Sequence, residues 1–207
     1  MDAQSEAHRP HRFLEIATVS LLAVTAVLTA WCGFEASKWG GEMSIAFSQA
    51  SSARVQAASA QATAQAARQY DLTLFTEWVL AEADGRDDLV EFVEQRFTDE
   101  FAVAFDAWVA DGRSERGPFV MDEYVPPGAR EAEELSAGAD ARFADALRNN
   151  QRGDDYSLLT VLFALVLFFA ALSQNQHALW RRTVFFSLSG VIAVTGVVLL
   201  ATFPIKI

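Results

Sequence analysis

Three stretches of this chain are long and apolar enough to cross a membrane, with a buried core helix as the alternative for any one of them. Residues 13–34 (FLEIATVSLLAVTAVLTAWCGF) carry a single charge, Glu15, while 157–173 (SLLTVLFALVLFFAALS) and 183–203 (TVFFSLSGVIAVTGVVLLATF) carry none. About 20 apolar helical residues cross a ~30 Å hydrocarbon core, so each run is a transmembrane candidate. Inside lipid every backbone amide must be bonded within the segment, which makes helices the form for three separate spans. The second run is the shortest, and its helix is expected to extend through Asp155 and Tyr156 into the headgroup zone.

Charge is segregated in the same way. The chain is 52% hydrophobic yet has a formal charge of -11, and residues 35–156 hold 11 Lys/Arg against 24 Asp/Glu. Arg9 and Arg12 precede the first span, and Arg181 and Arg182 lie between the second and third. Arginines near span ends stay on the cytoplasmic side. The expected order is therefore a cytoplasmic tail (1–12), span one (13–34), an acidic extracytoplasmic domain (35–156), span two (157–173), a cytoplasmic loop (174–182), span three (183–203) and an external tail (204–207). The first run exceeds a signal-peptide h-region and no small-x-small site follows it cleanly, so it reads as an uncleaved anchor. Its partners are membrane lipid and, at the acidic domain, protein. Nucleic acid is excluded, because phosphate binding requires a basic surface.

The extracytoplasmic domain reads as helical. Gly41–Ala83 lacks proline and is rich in Ala, Gln and Glu, good helix formers, so one helix of roughly 40 residues, about 60 Å long, is expected. Gly40 and Gly41 mark either a bend or a tolerated weak point within it. A second helix is expected to begin at Gly85-Arg86-Asp87-Asp88 with an aspartate cap. It runs through Leu89, Val93, Phe97, Phe101, Phe105 and Trp108 to a glycine stop at Asp111-Gly112. Residues 113–130 should pack over this aromatic face as a lid. A third helix, alanine-rich again, starts near Ala129 and feeds span two.

Steps of three and four connect Ala46, Ala50, Ala53, Ala57, Ala60, Ala64 and Ala67. Small side chains at the seam spacing of a left-handed coiled coil let helix axes approach closely. The first and third extracytoplasmic helices run in opposite directions by topology, so this stripe predicts an antiparallel alanine seam. Followed backward, the same steps reach Thr29, Thr25, Thr18 and Glu15, a polar face of span one. In a membrane such a face reads first as a packing seam, with each threonine bonded to its own helix; the alternative is a hydrated pore, since an intramembrane acid is a functional candidate. Glu15 itself, close to the span end, reads as an interfacial carboxylate near Arg12, Arg181 or Arg182.

Chemistry-bearing motifs are sparse. Asp84, Asp87, Asp88 and Glu91 do not follow a calcium-loop pattern, the single cysteine, Cys32, cannot form an intrachain disulfide, and no Cys/His spacing suits zinc. Cys32 reads as a small buried apolar residue, with an intersubunit disulfide as the alternative. No catalytic residue, cofactor or metal is expected.

The segment AWCGFEASKWGGEMSIAFSQASSARVQA after span one, with FALVLFFAALSQ and RRTVFFSLSGVIAVTGVVLL toward the end, resembles a family of bacterial three-span membrane proteins with a helical extracytoplasmic segment and no assigned activity. The resemblance implies a bacterial inner-membrane location and transfers no residue role. The expectation is thus an all-α integral membrane protein: three transmembrane helices plus an antiparallel alanine-rich helical extracytoplasmic domain. It should be a non-catalytic, self-associating scaffold or adaptor; the alternative is a homo-oligomeric channel lined by Glu15, Thr18, Thr25 and Thr29.

Overall fold

The structure, a computed structural model, describes residues 9–176 and 178–206, with side chains from residue 15 onward. Five α-helices are found among the described residues: α1 (Arg9–Ala83), α2 (Asp87–Glu94), α3 (Asp99–Ala110), α4 (Ala129–Gln174) and α5 (Leu179–Thr202), with a 3-10 turn at Pro118–Val120. No strand occurs among them. Three of the helices, α1, α4 and α5, contain stretches long and apolar enough to cross a membrane. The assignments that rest on Arg9 and Arg12 fall outside the described side chains, although their backbone already belongs to α1.

The chain forms two compact units, Met1–Phe47 with Ala144–Ile207, and Ser48–Phe143. In the first, Cys32, Trp39, Tyr156, Leu159, Phe163 and Val166 form a buried cluster, against which Ile192, Ala193 and Leu200 of α5 pack. Gly196 permits this: a Cβ there would lie 2.8 Å from a ring carbon of Phe163. The outside of the same unit is apolar, with Val24, Leu158 and Val191 all more than half exposed. A contiguous apolar exterior of this kind suits lipid rather than water.

α1 passes through Gly40 and Gly41 without a break. Neither glycine is needed for close packing, since an added Cβ would meet nothing within 4 Å. Each therefore weakens the helix by about 1 kcal/mol relative to alanine. The helix ends at Gly85, whose φ of 68° favours glycine, with Arg86 N–H donating to Ala81 O and Gly85 N–H to Glu82 O. This paired closure satisfies the last carbonyls.

The single helix expected across 87–111 is instead two. α2 stops at Glu94 and α3 restarts at Asp99. Thr98 causes the break: its backbone is extended, its hydroxyl accepts from Phe101 N–H, and it donates to Asp71 Oδ1 at 2.8 Å. A threonine that caps a new helix cannot also continue the old one. The expected aspartate cap of α2 is likewise replaced, because Arg86 occupies the cap position without a side-chain bond, and Asp87 and Asp88 lie in the first turn. There they complement the helix dipole. Gly112, with φ 72°, ends α3 as expected.

The second unit is built around Trp78, Val93, Phe101, Ala104, Phe105, Trp108 and Tyr124. Trp78 meets Phe105 edge-on at 4.9 Å, and Phe97 meets Phe101 at 4.8 Å. Such pairs add about 0.5–1.5 kcal/mol beyond area burial. Both indole N–H groups are used, Trp78 donating to Glu94 Oε1 and Trp108 to Glu115 O. Phe119, Met121 and Tyr124 of the 113–130 connection join this cluster, while Val120 and Val125 remain exposed.

Candidate functional site

The polar face read from the sequence divides in the structure. Thr18 and Thr25 are buried within the first unit, Thr29 is half-buried and donates to Thr25 O at 2.8 Å, and Glu15 is exposed. Hydroxyl donation to the carbonyl one turn back satisfies a helix threonine without outside help. Farther along α1, Ala50, Ala53, Ala57, Ala60 and Ala64 are buried, and Ala46 and Ala67 half-buried. Arg181 is exposed and Arg182 half-buried, both on the first turn of α5 rather than in a loop. The Nε of Arg182 is buried with no hydrogen-bond partner among the described residues, and its carbonyl accepts from Ser173 Oγ at 2.9 Å.

A buried carboxylate absent from the sequence reading, Glu35, is the most constrained polar group of the first unit. Its side chain is fully buried. Oε2 accepts the backbone N–H of Lys206 at 2.9 Å, whereas Oε1 has no hydrogen-bond partner among the described residues. One turn along α1, the indole N–H of Trp39 is also buried and without a hydrogen-bond partner among the described residues. The carboxy-terminal segment is held beside them: Tyr156 OH donates to Pro204 O at 3.1 Å, and Lys206 Nζ pairs with Glu42 Oε1 at 3.3 Å. Arg152 and Lys206 each place a cation over the Trp39 ring, at 4.6 and 5.5 Å. A buried acceptor without a partner is expensive, by about 1–3 kcal/mol or more, so an arrangement that keeps one is functionally suggestive. Chemically it can anchor the 204–206 segment and accept one further hydrogen bond.

Glu35 does not lie on the stripe that steps of three and four draw from Ala46 back to Thr29 through Ala36 and Cys32. A step of three from Cys32 would have found it, as would the rule that an acid beside an apolar span needs a named partner.

The second unit holds a buried acid of opposite character. Asp71 is fully buried, and both oxygens are occupied, Oδ1 by Thr98 Oγ1 at 2.8 Å and Oδ2 by Tyr124 OH at 2.9 Å. Burial first, then the bond to Asp71, push the Tyr124 hydroxyl well above the usual phenol range. With a donor on each oxygen, this acid clasps α1 to the start of α3 and to the 113–130 connection. Its role is structural.

Among the described residues no group of three or more His, Cys, Asp or Glu is arranged to hold a metal. Comparison of the chain with family models, with curated proteins and with solved structures finds no match.

Proposed function

We propose that this protein is a bacterial inner-membrane scaffold or adaptor that self-associates and presents a helical extracytoplasmic unit to a protein partner. The observation that carries this reading is the contrast between the two units. One has an apolar exterior and keeps Thr18 and Thr25 inside; the other closes on its own aromatic core and carries 8 Arg against 19 Asp/Glu between Ser48 and Phe143. An anchor joined to an independently packed, charged unit is suited to display. Burial of Thr18 and Thr25 supports a packing seam over a pore lining, because a lining must face water.

The antiparallel alanine seam draws support from contacts within the second unit. A Cβ on Gly128 would lie 2.6 Å from Ala60 O, and Arg54 pairs with Asp140 at 3.4 Å. Partners thus move forward from Gly128 into α4 as they move backward along α1. On α4 the buried alanines of this unit are Ala132 and Ala139, one heptad apart, the repeat of a coiled-coil seam.

Orientation and assembly are tested together. A cysteine introduced at Ser114 should be labelled by an impermeant maleimide added to intact cells. The purified full chain should run as an oligomer or with a bound protein in mild detergent. Protection at residue 114 reverses the orientation, and a monomeric, partner-free protein defeats the scaffold.

A further inference from the structure

The second unit carries an open cleft of about 640 Å³ between α3, the 123–128 segment and the first turns of α4. Its walls combine two features. Val103 and Val125 lie on it 56% and 38% exposed, next to Pro126 and Pro127, so apolar surface is left without cover. Around them stand Glu100, Glu123, Glu131 and Glu134, against a single cation, Arg130. None of the four carboxylates enters an ion pair among the described residues. Glu100 and Val103 are three residues apart on α3, and Glu131 and Glu134 three apart on α4, so each helix presents its pair on one side.

We propose that this cleft docks a lysine- or arginine-bearing segment of a partner protein, with an apolar side chain seated on Val103 and Val125 and the cations reaching the surrounding glutamates. The proposal rests on the adaptor reading and names the chemistry of its partner. Like charges held around a low-dielectric floor concentrate the local field, and a cationic ligand relieves their mutual repulsion while being steered to the cleft. A second copy of the unit is a poor occupant, because the acidic excess of Ser48–Phe143 would meet itself. A metal ion is poor too, since the carboxylates are not arranged as a metal-holding group.

The test uses the full chain in nanodiscs of phosphatidylcholine, a neutral lipid, and a fluorescein-labelled hexapeptide of four Lys/Arg around two adjacent Leu. Anisotropy should show saturable binding that weakens with added salt, and by roughly tenfold in the triple variant Glu100→Gln, Glu131→Gln, Glu134→Gln. Val103→Ser should weaken it while leaving the salt dependence in place. Should the triple variant lose its thermal transition, Glu123→Lys and Val125→Ser, both outside the helices, carry the same comparison. Binding unchanged in these variants, equal binding to empty nanodiscs, or displacement by spermidine as effective as by unlabelled peptide would each overturn the cleft as a peptide site. Retention of a co-purifying protein by the triple variant also overturns it and leaves the adaptor reading intact. Peptide binding as described by a chain that never retains a partner supports the cleft and removes the adaptor reading.

Discussion

The carboxylate of Glu35 accepts the backbone N–H of Lys206 at 2.9 Å, a bond between residues 171 apart in the chain. It joins α1 to the segment that follows α5, and Tyr156 of α4 holds the same segment through Pro204 O. Glu35 and Tyr156 together thus hold the segment that follows α5 against α1 and α4.

Removing that acceptor should loosen the 204–206 segment. Glu35→Ala is expected to destabilise the protein by about 1–3 kcal/mol, since the Lys206 N–H loses its partner. Glu35→Gln, which keeps an acceptor oxygen, should be milder. Thermal unfolding in detergent reads the first effect. Maleimide labelling of a Lys206→Cys chain reads the second, and should be faster with Glu35→Ala than with Glu35→Gln.

The Asp71 clasp makes a pH prediction. The Tyr124 hydroxyl titrates higher in the folded protein than its ordinary value, so the folded state keeps a proton that the unfolded chain gives up. Its contribution is fully present below the unfolded phenol pKa of about 10 and is lost as pH rises from there through the folded value. Tyr124→Phe should be less stable at neutral pH, by about 1–3 kcal/mol, because Asp71 Oδ2 is left buried and unpaired. Its stability should also fall less steeply than that of the wild type above about pH 10. Denaturant melts across alkaline pH with both chains decide the matter, and parallel slopes would remove the clasp.

Bulk in the alanine stripe should be punished by position. Ala57→Leu and Ala60→Leu place large side chains at buried sites and should destabilise by ~1–3 kcal/mol each. Ala58→Leu, on the exposed side of the same turn, should be within about 0.5 kcal/mol of wild type. Equal effects at all three positions would make the stripe a spacer.

Glycine replacements separate packing from helix propensity. Gly40→Ala and Gly41→Ala enter open space and should stabilise by about 0.5–1 kcal/mol. Gly128→Ala meets Ala60 O at 2.6 Å with a φ of 86°, and should destabilise by at least ~1–2 kcal/mol from conformation alone. Opposite signs in thermal melts are the expected result.

Three apolar helices were legible in the sequence because span length and lack of charge are local properties, complete within about 20 residues. The stop at Gly112 was legible for a similar reason, since glycine tolerates the positive φ that closes a helix; Gly85, read only as the start of the next helix, closes α1 in the same way. Ala50, Ala53, Ala57, Ala60 and Ala64, at steps of three and four, are buried. What sequence could not supply was partnership over distance. The helix break at Thr98 depends on Asp71, 27 residues earlier, and periodicity within 87–111 contains no trace of it. In the sequence Glu35 is only an acid one residue beyond the first apolar run. Only the return of the chain at Pro204–Lys206 buries it and gives it a donor. Composition decided which segments leave water; tertiary structure decided which polar groups leave with them, because a buried acid is tolerable only where another part of the chain brings a hydrogen-bond donor to it.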